Sequence, residues 1–105
     1  MFVVTITYVA DLTEVDHALS GHAAWLDAHF ADGVFVAAGR RLPRTGGVII
    51  VTGVNRLELD AILSQDPFSR EGLARYTVVE FEAQRIAPEL RHLLPAAGPV
   101  AVAQR

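Results

Sequence analysis

Four short runs rich in β-branched and aromatic residues are separated by two helix-period stretches, and their order leaves few folds open to the chain. Residues 2–9 carry Thr5 and Thr7 among apolar neighbours and read as a strand. Thr13 is the predicted N-cap of a first helix, with Asp16 three residues on as a weak capping box. Val15, Leu19, His22, Leu26 and Phe30 then recur at helical spacing until Gly33. Residues 34–38 are a second strand running into Gly39-Arg40-Arg41, and residues 42–47 are a turn. Residues 48–52 are a third strand, apolar on both faces. Asn55 and Glu58 form a capping box for a second helix whose apolar face is Leu57, Leu59, Ile62 and Leu63. Asp66-Pro67 ends that helix and opens a short turn through Phe68 to Gly72. Residues 76–86, alternating at Val79, Phe81 and Ala83, are the last strand.

The order β-α-β-β-α-β is the α+β, ferredoxin-like arrangement: a four-stranded antiparallel sheet with two helices on one face. The strands are apolar on both sides, so the second face also needs cover. Two sheets packed face to face supply it, and a homodimer is expected. Residues 1–87 form the domain and residues 88–105 a tail. Residues 88–94 are expected to make one or two helical turns that residues 95–99 end. The remainder is small and weakly apolar, and its role stays open.

Composition narrows the chemistry. The chain is 51% hydrophobic and 20% charged, as a globular domain is. A net charge of −3 with no long basic run argues against nucleic acid as the partner. The first strand has no charged leader before it, and no apolar run approaches the roughly 18 residues that cross a bilayer, so a soluble cytoplasmic protein is the expectation. Without cysteine there is no disulfide, thiolate zinc site or cysteine nucleophile. All nine basic residues are arginine, which removes lysine Schiff-base chemistry. No serine sits in a nucleophile elbow.

His22 and Asp66 are the polar residues that stand out in apolar surroundings. Brought together, they form a histidine–carboxylate pair that moves protons near neutral pH, the carboxylate fixing one tautomer and favouring the charged ring. Each also has a plain reading. His22 packs equally well beside Trp25, itself expected in the core. Asp66 before Pro67 is what an N-cap requires, worth roughly 1 kcal/mol. One carboxylate has lone pairs enough for both tasks. Arg40, Arg41 and Arg44 cluster where the second strand ends, either as a solvated turn or as a carboxylate clamp. Arg40 is favoured as the anion contact because Gly39 leaves room beside it, and strand alternation turns Arg41 the other way. Tyr8 ends the first strand as a packing residue or a hydrogen-bond donor. His17 and His29 are read as surface residues, and no metal site is expected.

The placing of His22 and Gly33, Ala38-Gly39, Gly46-Gly47 and above all Asp66-Pro67-Phe68 with Gly72 resembles the YciI-like (YCII-related) family, a branch of the dimeric α/β-barrel superfamily. The resemblance covers roughly residues 2–87. It implies ferredoxin-like protomers that dimerise through their sheets, and a cleft faced by His22 and Asp66. A few members resemble lyases that eliminate chloride from chlorinated ring-cleavage or hydroxyquinone intermediates, and relatives isomerise muconolactones. Arg40 stands where the family commonly has proline. The expectation is therefore an acid–base enzyme without metal or organic cofactor, acting on a small anionic metabolite. His22 is its base and acid, Asp66 its orienter, and Arg40, Gly39 and Tyr8 its substrate contacts. The alternative is a non-catalytic dimeric module that binds a small molecule or partner in the same cleft.

Overall fold

Strand β1 (Phe2–Tyr8) runs through the middle of an antiparallel sheet, with residues 46–51 and 74–80 on its two sides and residues 35–40 beyond the former. The structure, a computed structural model, describes residues 1–94. Helix α1 (Leu12–Ala31) follows β1, and then come β2 (Phe35–Arg40) and β3 (Gly46–Val51). Helix α2 (Arg56–Ser64), the single turn of α3 (Pro67–Arg70) and β4 (Ala74–Glu80) complete the domain. This is the four-stranded ferredoxin-like arrangement expected from the order of elements, with α3 added between the second helix and the last strand.

Side-chain parity places the core. Phe2, Val4 and Ile6 alternate along β1 and are buried, as are Ile49 and Val51 of β3 beside them. Val15, Ala18 and Trp25 of α1, Leu59 and Leu63 of α2 and Phe68 of α3 close over that face. Trp25 donates its indole N–H to the Ile62 carbonyl at 3.0 Å, tying α1 to the end of α2. The Asn55–Glu58 capping box forms in both directions, at 2.8 and 2.9 Å.

Several boundaries move, each for a local reason. Helix α1 starts at Leu12 behind Asp11 rather than behind Thr13, and no side chain caps it. Asp16 does not close a capping box, because its carboxylate is taken by Arg44. Strand β3 begins at Gly46, two residues before the expected start, because Gly46 and Gly47 pair with Thr7 and Ile6 of β1. Strand β4 runs from Ala74 to Glu80 instead of residues 76–86. Glu80 stands opposite Phe2, where β1 runs out, and Phe81 makes the last backbone bond, to Met1. The parity of β4 is also the reverse of the one expected: Ala74, Tyr76 and Val78 face the helices, while Val79 is 55% exposed. Leu57, placed on the apolar face of the second helix, is 80% exposed, because α2 turns Leu59 and Leu63 inward. Phe30 too is exposed, at the last turn of α1. Pro88–Leu93 form a 3-10 turn, and Thr52 donates its hydroxyl to the Leu93 carbonyl at 2.7 Å. The stop expected at residues 95–99 and the rest of the tail lie outside the described residues.

Gly46 fits because it has no side chain. A Cβ there would stand 1.7 Å from the Ile6 carbonyl oxygen, whereas one on Gly39 would meet nothing within 4 Å. Gly46→Ala is therefore expected to lower stability by about 3 kcal/mol and Gly39→Ala by less than about 0.5 kcal/mol, measured as urea unfolding midpoints.

Candidate active site

Asp66 is fully buried, at 0% exposure, and its carboxylate is the acceptor for three separate elements. It is the N-cap of α3, with Pro67 at the first helical position, and its Oδ1 accepts the Phe68 amide hydrogen at 3.1 Å. The same oxygen lies 2.8 Å from Nδ1 of His22 on α1. Its Oδ2 accepts the Tyr76 hydroxyl from β4 at 2.5 Å. Burying a carboxylate costs several kcal/mol unless hydrogen bonds and charge compensate it. Here the cap, the imidazole and the phenol do so together.

Two features of the sequence allow the approach. Gly21 precedes His22 in α1, and a Cβ there would sit 3.1 Å from Cγ of Pro67, so a bare backbone lets α3 dock beside His22. Phe68 then lies flat on the imidazole, with ring centroids 4.0 Å apart and planes 9° from parallel, while Trp25 touches it from the next turn at 5.5 Å. His22 is held on two sides and only 13% exposed.

An ionised carboxylate only accepts, so Nδ1 carries the hydrogen of the His22–Asp66 bond. In the neutral ring Nε2 is then a bare acceptor, and among the described residues it has no hydrogen-bond partner. Tyr76 stays a neutral donor: burial, reinforced by the hydrogen bond to Asp66 and its negative charge, pushes the phenol far above its ordinary value.

A cavity of about 290 Å³ opens between α1 and the sheet, with His22 and Phe68 on its wall. Tyr8, Gly39 and Arg40 also line it, whereas Asp66 stands behind His22. Tyr8 meets Phe68 edge-on at 5.7 Å. Arg41 points to the other face of the sheet and donates to the Thr7 hydroxyl at 3.1 Å, as strand alternation requires. His17 is exposed. His29 is not the surface residue expected: Trp25 and Phe35 cover its ring, because Phe35 enters the core as β2 begins. Its Nδ1 lies 3.3 Å from the Asp32 carboxylate, close enough for an ion pair but out of line for a hydrogen bond. No group of three or more His, Asp or Glu side chains converges as metal ligands among the described residues.

Sequence reasoning missed Tyr76 and the stacking role of Phe68. The available signal for Tyr76 was parity. It shares an inward face with Val78, and a buried phenol needs an acceptor. Asp66 Oδ2 is the acceptor it finds.

The family model of the YCII-related domain matches residues 1–82. No curated protein matches the sequence. Among solved structures, the chain is similar to the 5-chloro-2-hydroxyhydroquinone dehydrochlorinase of Burkholderia phenoliruptrix AC1100, determined in complex with 2,5-dihydroxybenzoquinone. The TM-score is 0.66 and the identity 18%, over 78% of this chain and 94% of that one. At that identity the likeness is one of fold.

The trio predicts a specific stability pattern. Asp66→Ala strands three buried donors and is expected to cost about 3 kcal/mol or more, against about 1 kcal/mol for Tyr76→Phe. Because the Tyr76 pKa is raised by folding, above pH ~10 the unfolded chain loses a proton that the native state keeps. Stability should therefore fall as pH rises beyond that point, and Tyr76→Phe should flatten the fall in denaturation curves taken between pH 8 and pH 11.

Proposed function

The chain belongs to the YCII-related domain family, and we propose that it is a small acid–base enzyme, a cofactor-independent lyase or isomerase acting on a carboxylate- or enol-bearing metabolite. The observation that carries this reading is the 2.8 Å contact between His22 Nδ1 and Asp66 Oδ1 at the wall of a cavity. With Nδ1 engaged, Nε2 is the nitrogen left to take a proton from substrate carbon or oxygen. The released electron pair forms a double bond as a leaving group departs with its own pair, or as the proton returns at another carbon. Asp66 keeps the ring in the tautomer that can do this and stabilises the imidazolium formed in the step. Tyr76 and the Phe68 amide keep Asp66 in place.

The remaining walls suit a flat, partly ionised substrate. Phe68, Ile6 and Leu26 supply apolar contact, Gly39 leaves space beside the rim, and Tyr8 and Arg40 offer polar hydrogens. The similar dehydrochlorinase is named for a chlorinated hydroxyhydroquinone and holds a dihydroxybenzoquinone, a ring of this kind. Residues 1–87 would be the working unit, with the tail as an appendage.

The same reading includes a homodimer. Val3, Ile50 and Val79 pair across three strands on the sheet face away from the helices, and Val79 is exposed among the described residues. Packing two such faces together would bury this row.

Two experiments test these claims. Incubation with 5-chloro-2-hydroxyhydroquinone, followed by chloride release, and with enolisable lactones and keto acids in D2O, followed by NMR, should find turnover or exchange. His22→Gln should lower it by about 10²–10⁴-fold in a variant that still folds. Ligands that bind without turnover, equally well to His22→Gln, would instead establish the binding module. Light scattering should give twice the chain mass and a single chain mass for the double variant Ile50→Glu, Val79→Glu. A monomeric wild type would overturn the assembly.

A further inference from the structure

Arg44 combines two features that no other residue of the cavity wall shows. Its Nη2 donates to Asp16 Oδ1 at 2.5 Å, which fastens the β2–β3 turn to α1. Its Nε is buried and has no hydrogen-bond partner among the described residues. The guanidinium carbon stands 6.0 Å from the centre of the Tyr8 ring, and the side chain is 27% exposed. That Nε has no accessible surface of its own, so a ligand in the cavity would meet the exposed part of the Arg44 side chain that lines the wall.

We propose that Arg44, braced by Asp16, holds a negatively charged oxygen of the ligand, so that the cavity selects carboxylates and enolates over their neutral counterparts. The inference rests on the reading of this cavity as a ligand site and names the group that sets its charge preference. Arg44 suits the task better than Arg40. Arg40 is exposed at the rim, and its side chain has no partner among the described residues, so its guanidinium keeps its water and pairs weakly with an anion. Arg44 is already oriented, and less of its freedom is lost when it forms a second bond.

The charges along the cavity give it a direction. Asp16 and Asp27 both project from α1, three turns or about 16 Å apart by the helix rise. Arg44 sits at the Asp16 end, and Asp27 lines the wall beyond His22. An anion at the Asp27 end meets repulsion, and one at the Arg44 end meets a fixed cation. His22 lies between the two along the helix. A ring held by its anionic oxygen on Arg44 therefore extends towards the imidazole. Arg44 is thus a binding residue, and Asp16 acts through it as a positioning residue.

The experiment compares salicylate with salicylamide, which share a shape and differ in charge, on the ¹⁵N-labelled full chain. The Arg44 Nε–H cross-peak, assigned by its loss in Arg44→Lys, is expected to shift saturably with salicylate. Salicylamide should bind at least about tenfold more weakly, as for a lost charged hydrogen bond. Arg44→Gln should erase that preference. Asp16→Asn, which leaves Arg44 in place, should weaken salicylate binding and leave salicylamide binding unchanged. Equal binding of the two probes to the wild type, or a preference that survives Arg44→Gln, overturns the proposal. So does a preference lost in Arg40→Gln but kept in Arg44→Gln, or an Arg44 peak that millimolar salicylate does not move. If Arg44→Gln fails to fold, the Asp16→Asn titration decides alone. His22→Gln is expected to keep the charge preference while losing turnover, so failure of the anion site and failure of the acid–base reading give different results.

Discussion

The buried carboxylate of Asp66 is the constraint on which the rest of the structure turns. It sits where α2 ends, α1 passes and β4 returns, and each of the three donors to it comes from a different element. Desolvation of a charge in a small domain is unfavourable by several kcal/mol, so the fold must bring those donors to it. The position of α3 against α1, the tilt of the His22 ring and the inward face of β4 are then one coupled requirement. Moving any of them leaves a carboxylate or a donor stranded.

Close backbone approach makes that requirement attainable. Gly21 lets Pro67 pack against α1, and Gly46 lets β3 run directly beneath the Ile6 carbonyl. The first contact brings His22 within reach of Asp66. The second sets the β2–β3 turn that carries Arg44 to the cavity. A helix-interior glycine costs about 1 kcal/mol relative to alanine, and at Gly21 the packing of α3 offsets it.

How far the sequence could be read depended on which interactions were local. The order of elements follows from periodicity and capping, as Asn55 with Glu58 shows, and the ferredoxin-like sheet follows from that order. The pairing of His22 with Asp66 was conditional on the fold, since 44 positions separate them along the chain. Residues 76–86 misled because Val79, Phe81 and Ala83 give the odd positions the longer apolar run, while Tyr76 and Val78 are apolar at the other parity. Only the register against β1 decides that Tyr76 and Val78 face inward and that pairing stops at Glu80. The tie between Asp16 and Arg44 was illegible for the same reason. Asp16 satisfies a capping pattern on paper, and only tertiary proximity assigns it to an arginine 28 positions later.

The arrangement of Asp66 also bears on whether it serves only as structure. An N-cap needs one acceptor oxygen, and asparagine or serine supplies it about as well without a charge. A core that needs only stability is often better served by apolar groups than by a buried ion and its partners. Asp66 does more than cap: the oxygen that closes α3 is shared with His22, and the other is committed to Tyr76. The net effect is an imidazole whose tautomer and orientation are fixed at a cavity wall, with its second nitrogen unpaired among the described residues. Capping alone explains none of those three properties, and they are the ones that the proposed proton transfer would use.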